Sequence, residues 1–172
     1  MENLLFFLFF RLYILLRCFF LGDRYLCGEE IFELMITILC EGRLRDKSLR
    51  AVLDEYLVRM EKYGNVQYME SSDLGKSIAS LKEVTIICLD ERGVQKNSVD
   101  FSLMVQKLTL SQKNIVFVIG EAYGIPAKIM DMASVKVSLS LMTMPTQLVR
   151  VVFAEQLYRA FTIIRGEPYH KE

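Results

Sequence analysis

The sequence predicts an α/β domain, a mostly parallel sheet flanked by helices, preceded by an apolar N-terminal extension. Three observations predict it. Short apolar runs alternate with segments whose apolar residues recur every three or four positions. One run, Ile115-Val116-Phe117-Val118-Ile119, is apolar throughout and ends at Gly120, the mark of a strand covered on both faces. The chain has 172 residues, enough for one domain of about 150 residues with an appendage.

The domain is expected over residues 35–172. Ile36-Thr37-Ile38-Leu39-Cys40 is the first strand, closed by Glu41-Gly42. From 45 to 63, Leu49, Val52, Leu53, Tyr56, Leu57 and Met60 lie on one helical face, and Gly64-Asn65 ends it. Residues 66–70 form a second strand. Ser72-Asp73 caps a short helix through Leu81. Residues 84–89 are a buried strand followed by a turn at Asp90-Glu91-Arg92-Gly93. Asn97-Ser98 opens a helix carrying Phe101, Met104, Val105 and Leu108. The central strand follows, then a helix from Gly124-Ile125-Pro126 to about Ala133. Residues 137–144 read as a fifth strand stopped by Pro145, and a helix over 146–164 closes the domain.

Residues 1–34 differ in character. The stretch 4–21, LLFFLFFRLYILLRCFFL, has the length of a membrane span, but Arg11 and Arg17 interrupt it. Fourteen Leu, Ile and Phe residues are worth about −6 kcal/mol of insertion and two central arginines about +6, so the sum decides nothing. Glu2 and the lack of a small-residue cleavage site argue against a signal peptide. Three readings stand: sequence translated upstream of the true start, an anchor, or a helix packed on the domain. A membrane role is expected only if this segment is part of the working protein.

Composition narrows the chemistry. Twenty-one basic and twenty-one acidic residues cancel, which argues against a polycationic nucleic-acid coat. A single histidine, His170, excludes sites needing two or three. Cys18, Cys27, Cys40 and Cys88 form no C-x-x-C pair, so no metal is expected, and free thiols fit a reducing cytoplasm. There is no phosphate-binding P-loop and no nucleophile elbow, and Gly120-Glu121-Ala122-Tyr123-Gly124 is not a dinucleotide fingerprint. Ligands of open α/β sheets sit at the carboxyl ends of strands, here Leu89-Asp90, Gly120-Glu121 and Met142-Thr143-Met144-Pro145.

The C-terminal helix LVRVVFAEQLYRAF (148–161), the tail Pro168-Tyr169-His170-Lys171, the strand VFVIG (116–120) and the start ITILCEGRL (36–44) carry a resemblance. Together they resemble the RlmH family of SPOUT methyltransferases, over essentially all of 35–172. The resemblance implies a trefoil-knotted fold and a homodimer with sites near the subunit interface. It implies S-adenosylmethionine-dependent methylation of N3 of a pseudouridine in large-subunit (23S) ribosomal RNA, on assembled ribosomes in the cytoplasm. It assigns cofactor binding to Leu89, Gly120, Leu139, Ser140, Leu141, Met142, Thr143 and Met144. Without it, 139–144 would be plain core strand.

It further points to His170 as a catalytic candidate in a tail reaching across to the other subunit's cofactor, and to Arg150, Arg159, Tyr169 and Lys171 as RNA contacts. Arg165 and the group Arg43, Arg45 and Lys47 are further basic candidates, and Arg150 or Arg159 has Glu155 as a possible partner. Leu148, Val152, Leu157 and Phe161 form an apolar stripe suited to core or dimer packing. Two positions depart from the family: Glu121 where Gly-Gly is common, and Thr146 where His commonly follows the proline. The region between Val66 and Val84 is also short beside the family's usual spacing. The alternatives are a SPOUT enzyme with another RNA target, or a ribosome- or membrane-associated binding protein that kept the fold without catalysis.

Overall fold

A computed structural model describes residues 35–110 and 114–171. The apolar segment 1–34 and its three readings lie outside the described residues. Five strands form one sheet in the order β2-β1-β4-β3-β5, every neighbouring pair parallel. The strands are β1 (Met35–Glu41), β2 (Asn65–Ser71), β3 (Val84–Gln95), β4 (Asn114–Ile119) and β5 (Val135–Ser138). The helices between and after them are α1 (Lys47–Met60), α2 (Leu74–Ala79), α3 (Ser98–Thr109), α4 (Ala127–Met132) and α5 (Thr146–Ile164).

Side chains of a strand alternate between faces, so each central strand feeds two cores. Ile36, Ile38, Cys40, Ile87, Leu89, Ile115, Phe117 and Ile119 pack with buried residues of α1, α3 and α5. Leu39, Ile86, Cys88, Val116 and Val118 pack with Leu74 and Ile78 of α2 and Ile129 of α4. Helices on both faces explain why these strands read as unbroken apolar runs. Phe117, Phe153 and Phe101 tie β4, α5 and α3 together, with ring centroids 4.9 to 6.4 Å apart. Burial pushes the Cys40 thiol up to about 12 and the Cys88 thiol up to about 11.

Helix starts follow the capping chemistry. Asp46 accepts from Ser48 N at 2.8 Å and Leu49 N at 3.0 Å, Asp73 accepts from Lys76 N at 3.0 Å, and Asn97 accepts from Asp100 N at 2.7 Å. The short helix α2 is therefore present despite the tight spacing, and it ends at Ala79 rather than Leu81.

Two expectations are corrected. The segment 90–93 is not a turn that ends a strand. It is a bulge inside β3, and Leu89 and Val94, on either side of it, both pair with Val137. Gly93 allows this, because a Cβ there would stand 2.6 Å from the carbonyl carbon of Val137. The fifth strand stops at Ser138, and residues 139–144 are a loop. Ser138 Oγ donates to the Ser140 carbonyl at 2.9 Å, and Met142 N donates to Ser140 Oγ at 2.9 Å. These bonds fold the chain away from β3, so it ceases to continue the sheet edge. Among the described residues no helix is long and apolar enough to cross a membrane.

Candidate functional site

The bulge of β3 and the carboxyl ends of β4 and β5 surround a cavity of about 730 Å³. This size lies within the usual range for small-molecule sites. Its walls come from three places: Leu89 to Arg92 at the bulge within β3, Ile119 to Gly124 at the end of β4 and the turn beyond it, and most of 137–146 leading into α5, with Val149 behind. The residues Leu89, Gly120, Leu139, Ser140, Met142, Thr143 and Met144 all line it. Leu141 belongs to the same loop but is 84% exposed and is not among the lining residues. Sequence reasoning missed Asp90, Glu91, Arg92, Tyr123 and Val149 as lining groups, although the strand-end rule pointed at Asp90.

The turn after β4 is shaped by its two glycines. A Cβ on Gly120 would meet the Gly124 carbonyl carbon and oxygen at 2.6 Å and Ile125 N at 2.8 Å. Gly124 has a φ of 81°, a left-handed conformation that costs glycine little. Gly124 N donates to the Glu121 carbonyl at 2.8 Å, closing the turn. Glu121 N donates to Glu41 Oε2 at 3.2 Å, which fastens the turn to the end of β1. The lining carries three acidic side chains, Asp90, Glu91 and Glu121, against one cation, Arg92. Leu89, Leu139, Met142 and Met144 supply apolar surface. An apolar wall under an acidic rim suits a ligand with a flat heterocycle and positive charge.

The C-terminal candidates group elsewhere. Arg159 is bonded to Glu155, with Nε donating at 3.0 Å, and lies 4.8 Å from the Tyr169 ring centroid. Tyr169 Oη donates to Glu155 Oε1 at 3.1 Å, and its ring stands edge-on to Tyr158 at 4.8 Å. Burial, more than the neighbouring Glu155 charge, pushes the Tyr169 hydroxyl up, and the bond to Glu155 raises Arg159 further. His170 Nδ1 lies 3.4 Å from an Arg159 nitrogen. Lys171 is exposed. The structure thus gathers Arg159, Tyr169 and His170 around Glu155. None of them lines the cavity of the same subunit.

Arg150, expected as an RNA contact, is 1% exposed and is corrected to an internal structural group. Its guanidinium donates to the Glu41 carbonyl, to the Gly42 carbonyl at 3.3 Å and to Tyr68 Oη at 3.3 Å, with Glu70 at 3.7 Å. Glu155, five residues on, pairs with Arg159 instead. The apolar stripe also divides. Leu157 and Phe161 are core, while Leu148 is 38% exposed. Among the described residues no cluster of three His, Cys, Asp or Glu could hold a metal ion.

Comparison with known proteins places these features in a family. The family described as "Predicted SPOUT methyltransferase" matches residues 34–170. A ribosomal RNA large subunit methyltransferase H of Clostridium novyi is 36% identical, covering 79% of this chain and 99% of its own. One from Bacillus cereus is 34% identical with the same coverage. Among solved structures, a probable methyltransferase from Bordetella pertussis Tohama I aligns with a TM-score of 0.52 at 8% identity, covering 76% of this chain and 95% of that one. A probable methylase family protein from Haemophilus influenzae aligns with a TM-score of 0.51 at 9% identity, over 83% and 72% of the two chains. At that identity the structures speak for the fold alone.

Proposed function

Starting from the fact that the chain belongs to the SPOUT methyltransferase family, we propose that it methylates N3 of a pseudouridine in 23S ribosomal RNA, on the assembled ribosome. The observation that carries the reading is the coincidence of two independent placements. The cavity between the bulge of β3 and the ends of β4 and β5 is lined by seven of the eight residues assigned to the cofactor by family resemblance. Relatives matched over 99% of their length carry the name of a large-subunit rRNA methyltransferase.

S-adenosylmethionine, the methyl donor of SPOUT methyltransferases, fits the residues present. The close approach of Gly120 to Gly124 leaves backbone rather than side chain at the cavity wall. Leu89, Leu139, Met142 and Met144 would enclose a heterocycle, and the acidic rim matches a sulfonium and an ammonium. When bound, the cofactor supplies a methyl group activated for in-line displacement. This chain's residues supply alignment, which is where most of the rate gain of such a transfer resides. Glu41, by accepting from Glu121 N, holds the β4 turn in place.

Acceptance of the methyl group by N3 requires its proton to leave. We assign His170 to orienting the base or assisting that removal, because it is the chain's single imidazole, a group that can both donate and accept a proton. Since the Tyr169-His170 tail is docked on its own α5 and away from its own cavity, the reading has the tail serve the cavity of a second subunit. A homodimer is therefore part of the proposal, as is a trefoil knot in the segment leading from β5 into α5. Residues 35–172 are the catalytic domain, working in the cytoplasm, with 1–34 dispensable for chemistry. The single-stranded context of the target and ribosome shape supply recognition that a chain of zero net charge lacks on naked RNA.

The test incubates the full chain with methyl-labelled S-adenosylmethionine and ribosomes lacking the modification, then maps the label. Label on N3 of one 23S pseudouridine is the expected result. Label on another RNA, or none from a chain that binds the cofactor, overturns the substrate assignment.

A further inference from the structure

A second cavity, of about 410 Å³, lies beside the first. The two share Asp90, Arg92, Tyr123 and Gly124 in their walls, so they are divided only by the bulge of β3 and the turn after β4. The second is completed by residues that do not line the first, among them Met130 and Asp131 of α4 and Lys136 of β5. Tyr123, on the shared wall, is 104% exposed, and no hydrogen bond or ring contact holds it among the described residues. A tyrosine so placed costs solvation of a large apolar ring and gains nothing within the subunit. Arg92 has an 85% exposed side chain and among the described residues pairs only with Asp90, at 3.5 Å. Lys136 makes no ion pair among the described residues.

We propose that this second cavity is a subsite for a nucleotide of the RNA strand next to the target, with Tyr123 as its stacking platform and Lys136 and Arg92 as its phosphate contacts. An unpaired base offers a π face to an exposed aromatic ring whatever its sequence. Its phosphate offers charge to the two cations, and its N–H groups offer donors to the Asp131 carboxylate. The mixed lining, two carboxylates and two cations around one ring, therefore matches a whole nucleotide better than an isolated anion. Asp90 is already engaged, accepting from Arg92 N at 2.9 Å, and orients Arg92 without opposing the phosphate at Lys136. Adjacency fixes the role: a strand held on Tyr123 runs along the rim of the cofactor cavity, where the target base must enter. The inference rests on the methyltransferase reading for its purpose, although the binding itself is measurable without catalysis.

The chain has no tryptophan, so Tyr123→Trp introduces a single tryptophan at the proposed platform, excited selectively at wavelengths the remaining tyrosines do not absorb. The full chain carrying it is titrated with a short single-stranded oligouridylate, with and without saturating S-adenosylmethionine. Saturable quenching that persists with the cofactor, and an apparent Kd raised about fivefold or more by adding Lys136→Ala, is expected. Absence of quenching, displacement by the cofactor, or indifference to Lys136→Ala overturns the proposal. In a ribosome methylation assay, Tyr123→Ala is expected to raise KM for ribosomes about tenfold, with Tyr123→Phe close to the parent. Equal KM values for all three also overturn it. If the parent chain methylates no ribosome, the methyltransferase reading fails while the quenching titration still decides the subsite.

Discussion

Replacing Arg150 by methionine removes the one charged side chain that is buried among the described residues, and its cost follows from its partners. The guanidinium holds the carbonyls of Glu41 and Gly42 at the end of β1, and the Tyr68 hydroxyl, while 1% exposed. Methionine fills much of the volume but donates nothing. Two partly buried carbonyls then lose their donor, each worth about 1–3 kcal/mol. Glu70 keeps Arg50 at 2.6 Å, so its charge is not orphaned and the upper end of that range is not reached. Among the described residues Arg150 Nε has no acceptor, which trims the native gain. The expected loss is about 3–5 kcal/mol, the ordinary cost of breaking a buried charged network from one side. That is a large part of the 5–15 kcal/mol typical of a whole domain. Arg150→Lys, a point charge without the fork, is expected to fall between. Urea unfolding followed by circular dichroism measures all three. Because Glu41 also holds the turn after β4, cofactor affinity under native conditions is expected to fall along with stability. A loss below about 1 kcal/mol for Arg150→Met, with an unchanged slope against urea, refutes the reasoning.

Gly120→Ala drives a methyl group to within 2.6 Å of the Gly124 carbonyl, so the turn must move by about 1 Å. Cofactor affinity is expected to drop tenfold or more for a stability loss of about 1–3 kcal/mol, and calorimetric titration giving wild-type affinity would sink the idea. Thr37 is buried in β1 with no partner for its hydroxyl among the described residues; Thr37→Val is therefore expected to stabilise by about 1 kcal/mol, readable as a raised urea midpoint. Burial alone would raise the Glu70 carboxyl. The Leu44 N–H, the Tyr68 hydroxyl and the charges of Arg50 and Arg150 outweigh it and hold the group below its ordinary 4.5. Its stabilisation is then present above that value and lost as pH falls through the folded pKa, so Glu70→Gln and the parent are expected to differ most near neutrality and to converge in melting temperature as pH falls below 4.5.

The legible parts of the fold were those governed by periodicity. The unbroken run 115–119 reads as a strand because helices cover both faces of β4, and 146–164 reads as a helix because its buried residues recur at helical spacing. The run 137–144 misled for a physical reason. Leu139, Leu141, Met142 and Met144 are apolar like a core strand, yet Leu141 and Met142 are 84% and 77% exposed on a loop that lines a cavity. Apolar residues destined for a ligand and apolar residues destined for a core look alike in sequence. Asp90 to Gly93 misled in the opposite sense, because a glycine that signals a turn here permits close approach of two strands.

Arg150 shows the same limit for charge. An arginine in a helix near the C-terminus looks like a phosphate contact, and only the packing of α5 against the end of β1 reveals the carbonyls that claim it. The sequence by itself determined the order of strands and helices, the parallel sheet and the family, because hydrophobic period, capping residues and motif spacing are local properties of the chain. The tertiary structure decided which strand ends meet in a cavity, that Arg159, Tyr169 and His170 share Glu155, and that Tyr123 stands unpartnered between two cavities. Each of those depends on residues far apart in the chain, brought together by the strand order β2-β1-β4-β3-β5, which local patterning does not encode.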